Sequence, residues 1–171
     1  FTAKVLRALP PVGFSPFHLE AFRRPDGELV FCEIACRLGG AHVVQALTYA
    51  TGVNPARLWI RHQAGLADGP ETARKLADAD GRYGWLLIPP RPGRLLEVWE
   101  PSGLPFIKDF FVNTPVPREF SGATGSVDSV MSFVLQGRDS ADLTRNVLRC
   151  ARLASGLARW EADGGRSGPG T

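Results

Sequence analysis

The chain has 171 residues, 44% hydrophobic and 22% charged, with a formal net charge of +3. That length buries a real core in one or two small units. No apolar run approaches the roughly 18 residues that read as a membrane span, and no secretory signal is visible. The positive residues, mostly arginine, are scattered without a basic stripe interleaved with aromatics, so neither a membrane nor nucleic acid is an expected partner.

Residues Thr2 to Leu9 read as a helix end, stopped by Pro10-Pro11. A loop from Pro11 to Pro16 leads into a hairpin, Phe17 to Gly40, whose two strand-like runs flank Asp26-Gly27. A helix is expected from about Ala41 to Thr51, with Val43, Val44, Leu47 and Ala50 on one face and Gly52 as its cap. Asn54-Pro55 reads as an N-cap with proline in the first helical position, opening a helix with Leu58, Trp59 and His62 before Gly65. Residues 67–82 are polar and Ala/Asp-rich, the best linker candidate. Then the pattern changes to strands: Gly84 to Pro90, Leu95 to Glu100, Phe106 to Val112, and Ser129 to Leu135, punctuated by Pro92-Gly93 and Ser102-Gly103. Ser140 reads as the N-cap of a last helix with Leu143, Val147, Cys150, Ala151 and Ala154 as its buried stripe. Gly164 to Thr171 is Gly/Ser/Pro-rich and expected to be disordered.

The hairpin is the most informative segment, because each strand carries one acid within an apolar stretch. A two-residue loop puts Pro25 opposite Glu28 and Glu20 opposite Glu33. A four-residue loop puts Arg23 opposite Glu28 and makes the two acids diagonal neighbours on one face. Only an odd loop length separates them. Strand side chains alternate faces. One face therefore reads Leu19, Ala21, Val30, Cys32 and Ile34, an apolar surface for two helices to cover. The other reads His18, Glu20, Phe22, Leu29, Phe31, Glu33, Ala35 and, if the chain stays extended, Arg37. Adjacent like charges on a sheet repel, and a shared cation is one remedy. A solvated face is the plainer alternative. Arg37 is suited to bidentate contact with phosphate or carboxylate oxygens, and Gly39-Gly40 permits a turn or a close backbone approach.

Smaller features weigh less. His18 shares the acidic face, where it tunes a carboxylate, touches substrate or, on the plainer reading, is simply structural. His42 falls at a helix start that favours anions. His62 reads as half-buried helix surface, Trp85 and Trp99 as core or strand packing, and Gly122 to Ser126 as a turn. Cys32, Cys36 and Cys150 form an odd set, with Cys32 expected to pack as a small hydrophobe. No matching second pair supports a zinc site, and the set fits a reducing cytosol. No Ser/His/Asp arrangement is framed as a nucleophile elbow.

These hairpin residues resemble the metal-binding strands of the ATP-grasp superfamily. The run from Glu33 through Arg37 to Gly39-Gly40, with the helix ending Ala50-Thr51-Gly52-Val53, is similar to the amino-acid ligase branch, including dipeptide-forming and carnosine-synthase-like enzymes. The resemblance covers residues 1–66 most closely, and 83–160 by order of elements alone. It implies an α+β fold: an antiparallel sheet covered by helices (residues 1–66), a linker (67–82), a smaller β-rich subdomain with a C-terminal helix (83–160), and a tail (161–171). It implies ATP with Mg2+, or Mn2+, as cofactors. Glu20 and Glu33 would hold the metal, Arg37 would act on the transferring group, and Gly39, Gly40 and His42 would meet substrate. The implied reaction joins a small-molecule carboxylate to an amine, possible substrates being amino acids, in a cytoplasmic enzyme compatible with a homo-oligomer. Two departures stand out. Where many such enzymes have an asparagine two residues after the second acid, this chain has Ala35. The family's adenine-contacting segments, phosphate-binding lysines and glycine-rich loop would precede Phe1, so the chain reads as the C-terminal piece of a longer protein, inactive alone. A carboxylase or phosphate-forming synthetase is an alternative within the superfamily, and a degenerate non-catalytic module that binds nucleotide or a partner is one outside catalysis.

Overall fold

The computed structural model describes residues 1–66 and 81–161. The expected linker and tail fall almost wholly outside these residues, although Arg82 already belongs to a strand. Contacts divide the chain into two units, Phe1–Asp78 and Ala79–Thr171.

The first unit contains α1 (Thr2–Arg7), β1 (His18–Arg23), β2 (Leu29–Ala35), α2 (Val43–Thr51) and α3 (Pro55–Gln63). Helix α1 ends before the two prolines, which lack the amide hydrogens needed to extend it. Helix α2 begins two residues later than the pattern suggests, because Ala41 adopts φ 49° and His42 is the N-cap. Its C-cap, Gly52, sits at φ 70°, the left-handed conformation that glycine reaches without a Cβ penalty. The Asn54 Oδ1 accepts the amides of Ala56 and Arg57, each at 3.0 Å, satisfying two of the free donors at the start of α3. Helices α2 and α3 pack on each other. Among the described residues of this unit only Ala46 is fully buried.

The second unit holds β3 (Arg82–Ile88), β4 (Pro92–Val98), β5 (Ile107–Val112), β6 (Arg118–Ser121), β7 (Met131–Gly137), α4 (Ser140–Ala154), a 3-10 turn (Ser155–Leu157) and β8 (Ala158–Trp160). They form two antiparallel three-stranded sheets, ordered β3-β7-β5 and β6-β4-β8. The central strand β7 is covered on both faces, so it reads as a near-continuous apolar run rather than an alternating one. Met131, Phe133 and Leu135 are wholly buried, each worth roughly 1.5–3 kcal/mol of burial. They join Leu95, Val130, Cys150, Ala154 and Trp160 in one core. Ser132, the buried polar side chain of β7, exchanges hydrogen bonds with the Asn113 carboxamide.

Helix α4 packs on β3 and β7. A Cβ on Gly137 would lie 2.3 Å from the Leu143 amide nitrogen, so only glycine lets the first turn of α4 approach the end of β7. Asp139, rather than Ser140, is the N-cap: its Oδ1 accepts the Asp142 amide at 2.7 Å. The four-residue β6 and three-residue β8 are too short to give a periodic signal. Strand β8 is fastened to β4 partly by the Arg159–Glu97 ion pair at 2.7 Å. Trp85 lies exposed on β3 instead of packing in the core.

Candidate functional site

Strands β1 and β2 pair antiparallel, and Glu20 is directly opposite Glu33. The loop that joins them is neither of the even lengths considered from the sequence. The Arg24 amide donates to the Glu28 carbonyl and the Gly27 amide to the Arg24 carbonyl, both at 2.9 Å, with Gly27 at φ 89°. Arg23 then faces Leu29, Phe22 faces Val30 and Ala21 faces Phe31. Continued without interruption, that register would place Cys32 opposite Glu20. Instead the register shifts, Cys32 is left unpaired as a β-bulge, and Glu33 takes the place across from Glu20.

The bulge also redistributes the faces. His18, Glu20 and Phe22 share theirs with Val30, Glu33 and Ala35, whereas Leu29 and Phe31 join Leu19, Ala21 and Ile34. The expected apolar face is therefore corrected at Val30 and Cys32. Cys32 is exposed, contrary to the expectation of a packed thiol. Leu19 and Ile34 are half-buried, while Ala21, Leu29 and Phe31 remain exposed, so this face is shielded only at the Leu19–Ile34 end of the hairpin.

The two acids are both exposed. The His18 Nδ1 lies 3.8 Å from the Glu20 Oε1. That nitrogen is itself shielded from solvent without a hydrogen-bond partner. Arg37 does not continue the strand: β2 ends at Ala35, the chain bends, and the Arg37 guanidinium donates to the Leu38 carbonyl at 2.9 Å. The strand extension that would align Arg37 with the acids is thus absent. Gly39 and Gly40 differ in their surroundings. A Cβ on Gly39 would meet the Val43 side chain at 2.7 Å, whereas one on Gly40 would meet nothing within 4 Å. His42 is the N-cap of α2 without a side-chain capping bond. The neighbouring Ala41, in the left-handed region, carried no sequence signal because glycine is the residue usually found there.

Among the described residues no three His, Cys, Asp or Glu side chains are gathered so as to hold a metal. Two facing carboxylates do suit Mg2+, which takes oxygen ligands and is commonly held by one or two carboxylates together with substrate phosphates and water. The donor set therefore fits a nucleotide-borne cation and does not form a self-sufficient metal cage.

Elsewhere, in the second unit, a cavity of about 390 Å3 is lined by Ile88, Val130, Met131, Ala154 and Trp160, with the Arg91 guanidinium carbon 4.9 Å from the Trp160 ring centroid. None of the candidate residues lines it. No helix among the described residues is long and apolar enough to cross a membrane.

In fold the described chain is similar to the C-terminal part of ATP-grasp enzymes. Over 85% of its length the chain is similar to an L-amino acid ligase from Bacillus licheniformis, with a TM-score of 0.65, 14% identity and 36% of that chain covered. It is also similar to the biotin carboxylase domain of a single-chain bacterial carboxylase, with a TM-score of 0.51, 22% identity, and coverage of 85% of this chain and 33% of that one. The chain thus spans about a third of the length of these neighbours. No protein-family model matches the sequence, and no curated protein matches it.

Proposed function

We propose that this chain is the C-terminal part of an ATP-dependent carboxylate–amine ligase acting on small molecules of the amino-acid class. The observation behind the reading is the facing pair Glu20 and Glu33, set in a fold shared with an L-amino acid ligase. In the proposed reaction a substrate carboxylate oxygen attacks the γ-phosphorus of ATP and ADP leaves. The amine nitrogen of the second substrate then attacks the acyl carbon, phosphate leaves, and the amine gives up a proton. Mg2+ or Mn2+ would offset the phosphate charge. Glu20 and Glu33 are the residues that would hold it. Arg37 would turn from the Leu38 carbonyl to the transferring group, where a guanidinium stabilises developing negative charge. Gly40 and His42, at the entry to α2, would border the substrate, with Gly39 shaping that entry through its contact with Val43. The free cysteines agree with a reducing cytosol.

The experiment is ATP-dependent ligation of amino-acid pairs, read as phosphate release and product mass, on the complete polypeptide that carries these residues. Glu33→Gln should remove most turnover with the fold intact. Turnover within a factor of two of the wild type would overturn the assignment.

A second reading, a non-catalytic module that binds nucleotide or a partner, draws on Ala35 and on the engagement of the Arg37 guanidinium by the Leu38 carbonyl. It predicts ATP binding without phosphate release for any carboxylate–amine pair.

A further inference from the structure

We propose that His18 is a positioning residue for Glu20, restraining that carboxylate on the side of Glu33 so that the pair is assembled before a divalent cation arrives. The proposal rests on the acid-pair reading above.

The two residues lie two apart on β1, and so on one face of the hairpin. The His18 Nδ1 is 3.8 Å from the Glu20 Oε1, and a movement of roughly 1 Å makes that contact a hydrogen bond. That nitrogen is shielded from solvent and has no hydrogen-bond partner. Its cross-strand neighbour is Ala35, whose methyl group offers no acceptor. The imidazole is 24% exposed and the Glu20 side chain 51% exposed. A half-buried ring thus stands beside a carboxylate that is otherwise free to rotate into solvent.

Facing carboxylates repel and swing apart unless something restrains them. An imidazole that donates its Nδ1–H to one oxygen of Glu20 leaves the second oxygen available for a cation. This is the arrangement by which outer groups orient metal ligands, and losing such a group typically lowers metal affinity by about 10–100-fold. Ala35 contributes by its small size: a polar side chain there would compete for the histidine nitrogen.

The test uses the Mn2+ complex of ATP as the probe, on the complete polypeptide that carries these residues, reading the bound complex by its enhancement of water-proton relaxation and fold by circular dichroism. His18→Ala should weaken binding of the complex about 10–100-fold, with the melting curve retained. His18→Gln should recover it to within about threefold, because a carboxamide N–H also reaches an acidic oxygen. Unchanged affinity in His18→Ala overturns the proposal, as does His18→Gln binding no better than His18→Ala. Glu33→Gln separates the two levels: if it binds the complex as tightly as the wild type, the acid pair itself is not the site. If it loses the complex while His18→Ala does not, the pair stands and the role of His18 falls.

Discussion

Glu20 stands across from Glu33 because Cys32 is skipped. The odd hairpin loop sets the strands one residue out of phase for these acids, and the bulge restores them. Since side-chain direction has period two, a single inserted residue decides whether β2 presents its acid to the same face as β1.

On this account the bulge corrects phase, and a chain lacking Cys32 should keep the pair. Deleting Cys32 leaves Phe31 followed directly by Glu33, so Ala21 and Glu20 keep their partners in an uninterrupted ladder. Affinity of the deletion variant for the Mn2+ complex of ATP is expected within about threefold of the wild type, against a loss of at least tenfold for Glu20→Gln. Loss of the complex in a deletion variant that still folds would show that the bulge aims Glu33 as well as phasing it.

The entry to α2 combines tight packing with backbone strain, and its three small residues should respond differently. Gly39→Ala forces a Cβ to 2.7 Å from Val43, an overpacking expected to cost about 1–3 kcal/mol. Gly40→Ala meets nothing within 4 Å and should leave the melting temperature nearly unchanged. Ala41 is held at φ 49°, so Ala41→Gly relieves a left-handed alanine and should add about 0.5–1 kcal/mol. Denaturant unfolding of the three variants checks the order. It also makes Gly40, rather than Gly39, the position at which lost activity would report on substrate.

Some of this was legible in the residues and some was not. Gly52, Asn54 and Pro55 marked the end of α2 and the start of α3, because caps act through local hydrogen bonds and backbone preferences. The proximity of Glu20 and Glu33 was readable as one outcome of hairpin pairing, but its route was not: a bulge shifts phase without a composition of its own. Arg37 escaped for a related reason, since nothing in Ala35-Cys36-Arg37 signals that the strand ends there. Strands β6 and β8 were hidden by their length, and Asp139 took the cap from Ser140 because either side chain can accept the free amide.

Thiol chemistry separates the three cysteines. Cys32 and Cys36 are exposed. Cys150 lies on the buried face of α4, within the core, and burial pushes its thiol up to about 11. At pH 8 a thiol reagent should therefore label two cysteines quickly and the third only on unfolding. Mass mapping that finds Cys150 labelled in the folded chain at the rate of the other two would contradict the packing of α4.

Acid should loosen the second unit through carboxylates that folding holds in their charged form. The Arg138 guanidinium, then its backbone amide, and then Arg145 keep Asp142 well below the usual aspartate value of 3.8. Hydrogen bonds from the Thr124 hydroxyl and amide lower Asp128, and Arg159 lowers Glu97 from its usual 4.5. A depressed folded-state pKa means that the unfolded chain binds protons first. The stabilisation is thus complete above the usual carboxylate values and fades as pH falls through the lowered ones. The melting temperature should hold from about pH 6 to pH 5 and drop progressively below pH 4. Asp142→Asn should melt lower than the wild type at pH 6 but lose less on acidification, so the two curves converge at low pH. Parallel curves would show that Asp142 is not one of the groups through which acid acts.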